Sequence, residues 1–200
     1  MNPRHEGTAY PLLRHLTLPL VAVTTAARGR RNGMIANSAQ RASLVPRIPR
    51  ISVYISKTNF SHDLVYASGV FGIHLLRNDQ WDIIRALGLR SARDVADKLD
   101  DFDTRTGSSG CPLVEECVAA FECRVINAMD AGAATFFLGD VIDMREEEPG
   151  PVMTSGHFRQ HAPPDLLAEY EARLAAAQAA LESITGTITP RPWPGPSCSP

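Results

Sequence analysis

The side chains best placed to do chemistry in this 200-residue chain gather in one stretch, from Asn32 to Ser61. Its first half reads Asn32-Gly33-Met34-Ile35-Ala36-Asn37-Ser38, followed by Arg41, Ser43, Leu44 and Pro46. Ala36, Asn37 and Ser38 combine small side chains, which let backbone groups approach a ligand, with short polar groups to pair with its edge. An isolated Ala-Asn-Ser is a common turn, so this reading rests on the longer pattern. The second half contains Ser56-Lys57-Thr58-Asn59, directly before a predicted helix. Backbone N–H groups at a turn or helix start, together with a cation, are the parts from which phosphate sites are built. Lys57 alone would be an ordinary solvated lysine at a strand end.

The remaining reactive residue types are scattered. Cys111, Cys117, Cys123 and Cys198 form no Cys-x-x-Cys pair and have no histidines at metal-ligand spacing, so they read as reduced structural thiols. His74 lies in apolar company on a predicted strand, as a core or interface histidine would. His62, about one turn into the helix after Asn59, is expected at the surface. His157 and His161 are four apart, but Gly156 and Pro163-Pro164 argue against a helix there, and no metal is assigned. Glu146-Glu147-Glu148 and Asp100-Asp101 read as solvated loop charge, not as a general acid–base pair.

The elements that must position these residues follow from periodicity. Leu18 to Thr25 is a Val-, Leu- and Thr-rich strand, ending in a polar turn closed by Asn32-Gly33, so a partner strand should start near Met34. Arg50 to Ser56 alternates as a half-buried strand does. Asn59 to Ala67 predicts a short helix closed by Ser68-Gly69, and Val70 to Leu76 a strand. Asn78 to Leu87 and Ser91 to Leu99 read as two capped helices, separated by a polar loop at Asp101 to Pro112 from a hairpin of Cys117 to Val125 and Thr135 to Met144. Pro164 to Ile184 carries Leu166, Leu167, Tyr170, Leu174 and Leu181 as one helical stripe. Several β-segments joined by hairpins and short helices point to a mainly β (α+β) fold, an antiparallel barrel with peripheral helices. No Gly-x-Gly-x-x-Gly or phosphate-loop lysine motif is present.

Length and composition predict one core. Residues 1–163 form the expected domain with an N-terminal arm, 164–185 a helix packed on the barrel or on a dimer partner, and 186–200 a Pro-rich tail. The chain is 44% apolar and 21% charged with a formal net charge of -2, which gives no reason to expect nucleic acid or an anionic membrane as partner. Its apolar runs fall short of the roughly 20 residues that span a bilayer, and nothing in them argues for export. The expected setting is cytoplasmic.

The Asn32–Ser61 pattern resembles the flavin reductase-like family, the FMN-binding split barrels. There Asn-Gly-Met-Thr-Ala-Asn-Ser, then Ser-Leu, a proline and a Val/Ile strand wrap the flavin. The likeness continues in Leu20 to Thr25, in Ser68-Gly69-Val70-Phe71-Gly72-Ile73-His74-Leu75-Leu76 and in Gly132 to Val141. The resemblance implies an antiparallel FMN-binding split barrel plus a C-terminal helix, and an FMN-dependent oxidoreductase of the NAD(P)H:flavin reductase kind. FAD is the alternative flavin. Carried over by position, Met34, Ile35, Ala36, Asn37, Ser38 and Ser43 are flavin contacts. Lys57, Thr58 and Asn59 then lie near the phosphate or ribityl chain. The flavin carries the redox chemistry, so no catalytic side chain is implied. The resemblance further implies a homodimer, with an oxygenase or redox protein as a candidate partner.

The chain departs from the family pattern at Ala133, Ala134 and Arg41. Gly-Asp-His-Thr of many relatives is Gly132-Ala133-Ala134-Thr135 here, which removes the histidine associated with NAD(P)H. A flavin-binding electron carrier or storage protein, reduced by a protein partner, is therefore the second reading. Arg41 stands where the family usually has a small residue, and either adds a cation near the phosphate or points to solvent. It is the only hint of a third reading, a barrel that has lost its cofactor.

Overall fold

The computed structural model describes Leu16 and residues 18–93 and 95–184; the expected N-terminal arm and Pro-rich tail lie outside the described residues. Strands β1 (Val21–Ala27) and β2 (Arg30–Ala36) form the first hairpin. Its turn is Arg28-Gly29, with φ of 53° and 74°, the two successive positive values that a two-residue type I′ turn needs. The predicted turn at Asn32-Gly33 is thus corrected to mid-strand. Asn32 is buried and pairs with Thr25, while a Cβ on Gly33 would approach Leu87 Cδ2 to 2.9 Å. The glycine makes room for a core leucine; it does not turn the chain.

The chain continues through β3 (Gln40–Arg41), β4 (Arg50–Ser56), α1 (Phe60–Ser68), β5 (Val70–Leu75), α2 (Trp81–Gly88), β6 (Thr104–Thr106), β7 (Pro112–Val114), β8 (Ala119–Asp130), β9 (Ala134–Glu146), α3 (Ser155–His161) and α4 (Pro164–Ile184). As predicted, Gly69 closes α1 in the left-handed region, its N–H bonding to Val65 O at 2.9 Å. Seven strands make one antiparallel sheet in the order β2-β1-β5-β8-β9-β4-β3.

That order forces closure. β2 and β3 are the two edges of the sheet, and laid flat they would stand about 29 Å apart. Yet the chain passes from Ala36 to Gln40 through residues 37–39 alone, a span of at most about 14 Å. The sheet must curl until its edges approach, which produces the split barrel. Ser38 Oγ, donating to Tyr54 O at 2.8 Å, ties the link across to β4.

Both faces of β1 are covered. Val21 and Val23 point into the barrel with Val53, Ile55, Phe71 and Phe137, while Leu20 and Ala22 face a second cluster under the helices with Leu87, Leu99, Phe158 and Leu166. Alternate residues of one strand thereby serve two cores, which is why β1 reads as a continuous apolar run.

Two other expectations fail for local reasons. Ser91 to Leu99 makes turns, not a helix, because side chains compete for its backbone. Ser91 Oγ accepts from Arg93 N, Asp97 Oδ1 accepts from Leu99 N, and Lys98 Nζ reaches back to Leu87 O at 2.8 Å and Arg90 O at 3.0 Å. Conversely, α3 exists. Thr154 caps it by accepting from His157 N, Gly156 falls in its first turn, and Pro164 opens the next helix, where a missing N–H costs nothing. The Asp101–Pro112 loop includes β6 and leads into β7. Its Ser108 and Ser109 donate four hydrogen bonds, two from N–H and two from O–H, to the buried Glu122 carboxylate. β8 begins at Ala119, and its register shifts at Glu122/Cys123 break the simple alternation predicted from Cys117 onward.

His74 is fully buried, as expected of a core histidine. Its Nδ1 donates to Ala22 O at 3.2 Å and its Nε2 accepts from Val114 N at 3.0 Å, an arrangement that suits the neutral ring. Burial pulls its pKa from 6.5 to about 4, against the Ala22 bond and with help from Arg105. The unfolded chain therefore takes up this proton at a higher pH than the folded chain. Stability from the neutral ring is complete above pH 6.5 and falls as the pH drops to about 4. Denaturant unfolding at pH 7 and pH 4 should show a loss of about 3 kcal/mol from this residue. A His74→Gln variant should lack that part of the pH dependence.

Candidate functional site

β2 is an edge strand, so its outer backbone groups have no strand partner among the described residues, and cavities open along it. The larger, of about 380 Å³, lies between Asn32, Met34 and Ile35 of β2, the turn entering α1, the loop after α2, and α4. A smaller one, of about 200 Å³, holds Ala36 and Asn37. Ile35, Gly88, Leu89, Tyr170 and Leu174 line both, so the two are neighbours along β2. The larger volume is in the range of small-molecule sites.

Thr58 and Asn59 enter the larger cavity at the start of α1. Ser56 Oγ lies 2.9 Å from Thr58 Oγ1 and stiffens the turn. Asn59 holds the N-cap position without a capping bond from its side chain. The floor carries an unmet demand. Asn32 is 2% exposed; its Nδ2 donates to Ser61 Oγ at 2.8 Å, but its Oδ1 has no partner. Reversing the amide would only move the orphan to nitrogen.

The cations of this cavity were not the ones expected. Arg90, Arg93, Lys98 and Arg173 line it, and none of the described lining side chains is acidic. Lys98 is buried against the two carbonyls named above, and burial, then Arg90, lowers its pKa to about 8. Arg90 faces Asp101, and Arg173 faces Glu169. Arg93 donates to Thr58 O at 3.2 Å, and the structure gives it no carboxylate partner among the described residues. These arginines fall in segments whose sequence carried no site pattern, and Asn32 was read as part of a turn.

Lys57 is elsewhere engaged. Its ammonium meets Asp130 at 2.6 Å with both side chains largely buried, and its N–H bonds Ala133 O. Lys57 does not line the cavity that holds Thr58 and Asn59. Ser38 ties the seam, and Ser43 accepts from Val45 N, capping a turn in the β3–β4 connection. Ser43 and the exposed Arg41 line a separate apolar groove of about 590 Å³.

The expectation that His62 lies at the surface is corrected. It is 2% exposed, with Nε2 at 2.8 Å from Thr135 Oγ1 and its ring near Tyr66 and Phe137, because α1 packs this face on β9. Ala134, beside Thr135, is fully buried opposite Ser56. His157 and His161 do share a helix face, their rings stacked at 4.2 Å. Among the described residues no group of three or more His, Cys, Asp or Glu is placed to hold a metal. Burial pushes the Cys111 and Cys117 thiols up to about 12, which leaves them inert as nucleophiles near neutral pH.

Open edge backbone, a cationic end and apolar walls suit a planar heterocycle with an anionic tail. Comparison with known proteins identifies the class. The profile of the flavin reductase like domain matches residues 13–162. The chain belongs to that family. It is 32% identical over 141 residues to a ferric-chelate reductase (NAD(P)H) of Archaeoglobus fulgidus, which covers 70% of this chain and 82% of the relative. An NADH-dependent FAD reductase of Streptomyces globisporus is 31% identical over 146 residues, covering 72% and 79%. The structure of the NADH:FAD oxidoreductase SgcE6 from Streptomyces globisporus C-1027 superposes with a TM-score of 0.68 at 25% identity, covering 77% of this chain and 90% of that one. As a flavin reductase-like protein, the chain is an oxidoreductase of the split-barrel fold.

In this family member the Lys57–Asp130 pair is a structural tie between the turn and the β8–β9 hairpin. Replacing Lys57 with Met removes this ion pair from a largely buried site. A loss of about 2 kcal/mol of stability is expected, between the costs of exposed and fully buried pairs. Calorimetry of the variant measures it, and titration with FMN and riboflavin should show both affinities changed in the same proportion.

Proposed function

We propose that this chain is an NAD(P)H:flavin reductase that holds FMN along β2 and passes electrons to free flavin or another acceptor. The observation that carries the reading is the paired cavity on an edge strand, with one cationic, acid-free end and one orphaned buried amide. Bound flavin would supply the redox chemistry, accepting electrons and handing them on. The residues supply position. Ala36 and Asn37 would receive the ring system, their small size letting the unpaired edge of β2 approach its polar rim. Met34 and Ile35 would lie along its length, and Asn32 would meet a hydroxyl of the ribityl chain. Thr58, Asn59 and Arg93 would hold the phosphate, which carries about two negative charges near neutral pH. In this proposal Arg93 takes the role first expected of Lys57. Ser38 acts through the seam, and Ser43 belongs to the groove beside β3.

FAD is the alternative flavin, since the cationic end has more positive groups than one phosphate requires. Ala133 and Ala134 favour one competing reading, a flavin-binding electron carrier reduced by a protein partner. A homodimer is supported by the groove that holds Ser43 and by exposed Leu44, Val45, Ile48 and Met144 around it, an apolar surface of the kind that marks interfaces. A cytoplasmic setting is supported by Cys111, Cys117 and Cys123, which are buried and unbridged. Within that setting the electron acceptor would be free flavin, an oxygenase partner or another redox protein. No helix of the described residues is long and apolar enough to cross a membrane.

The purified protein should show a flavin spectrum, or acquire one on incubation with FMN, and the flavin should bleach when NADH or NADPH is added without oxygen. Binding without bleaching would select the carrier reading, and no binding of FMN or FAD would sink both. Arg93→Ala should weaken FMN about tenfold or more while changing riboflavin little, as measured by fluorescence titration. Equal loss for the two flavins would remove Arg93 from the phosphate.

A further inference from the structure

The structure assigns the outer wall of the flavin site to α4, and we propose that this helix acts as a hinged cover that slows flavin release. The inference rests on the flavin reading above, but concerns a segment beyond the family match, which ends at residue 162. Two parts of α4 differ sharply. Its first two turns are fixed to the body: Leu166 is fully buried, Tyr170 packs edge-on against Phe158 at 5.1 Å, and Arg85 of α2 reaches Asp165 at 2.7 Å and Glu169 at 3.6 Å. From Glu171 to Ser183 every residue is exposed except Leu174 and Leu181, which are half-buried.

The exposed part runs past the site. Arg173, Leu174 and Ala177 line the larger cavity, facing Thr58, Asn59 and Arg93 across it. Leu174 also lines the smaller cavity, together with Ala36 and Asn37. One leucine thus bounds both the part proposed for the ring and the part proposed for the phosphate. Asn32 is among the residues that line the larger cavity. A ligand in this cavity is enclosed partly by a helix segment with little buried surface of its own. Such a segment opens at low cost, since few apolar contacts with the described residues hold it. Its closure over a bound flavin adds apolar contact along the ligand, so the effect falls on the rate of release.

The test keeps the full chain. Ala172→Pro, at an exposed position between the fixed and exposed parts, removes a helical hydrogen bond and bends the helix away. Leu174→Asn keeps the helix and removes the shared wall contact. Flavin release is followed by recovery of fluorescence after rapid dilution of the complexes with FMN and with riboflavin, and thermal unfolding reports the barrel. Release of both flavins should accelerate about tenfold in Ala172→Pro and several-fold in Leu174→Asn, with the association rate no slower. Equal effects on the two flavins separate a wall from a phosphate contact. Unchanged release in a folded variant overturns the cover; if Ala172→Pro fails to fold, Leu174→Asn decides. Failure of the unaltered chain to bind either flavin would instead reject the functional reading itself.

Discussion

The three residues Asn37, Ser38 and Ala39 join the two edges of a seven-stranded sheet, and the rest of the molecule follows from that short link. A flat sheet cannot satisfy it, so the strands curl into a barrel whose interior is filled by alternate residues of β1, β4, β5 and β9. Closure is incomplete, because no ladder joins β2 to β3 among the described residues; Ser38 of the link bonds instead to Tyr54 O of β4. β2 is thereby left as an edge with unpaired backbone groups. Edges are normally covered or blunted. Here one is lined by cavities and overlain by a helix, an arrangement that makes sense if a ligand completes it.

Burial of polar groups shows the same division between scaffold and site. Within the scaffold, His74 links β1 to β7, Glu122 gathers four donors from Ser108 and Ser109, and Lys98 caps the end of α2. Each is a buried polar group with partners that offset its desolvation. Among the described residues two buried side-chain atoms stand outside this pattern, Asn32 Oδ1 and Arg105 Nε. Arg105 has Asp143 and Glu147 within 4 Å of its other nitrogens. Asn32 instead belongs to the lining of the cavity that holds Thr58 and Asn59.

Much of the barrel was legible because strand burial leaves a period-two trace and turns demand particular residues. β4, α1 with its Gly69 cap, β5, β9 and α4 appear close to where the pattern placed them. The failures have specific causes. Asn32-Gly33 carries the composition of a turn, but the glycine is required by Leu87, a residue 54 positions away in the chain. Ser91 to Leu99 has the composition of a helix, but the side chains of Ser91 and Asp97 bind its backbone, and Lys98 turns back to the carbonyls of Leu87 and Arg90. β8 has a bulge that no alternation announces.

The sequence by itself determined the family and the antiparallel class and pointed to a candidate stretch for the site, because small residues, turn residues and strand periodicity are local constraints. Tertiary structure alone decided which charge faces which cavity. Lys57 is adjacent to Thr58 along the chain yet turns to Asp130, while Arg93, 35 positions beyond Thr58, donates to its carbonyl. Successive residues in a turn point to different sides, so adjacency does not fix direction. A loop and a helix far along the chain can bring cations to a site only after the sheet has closed.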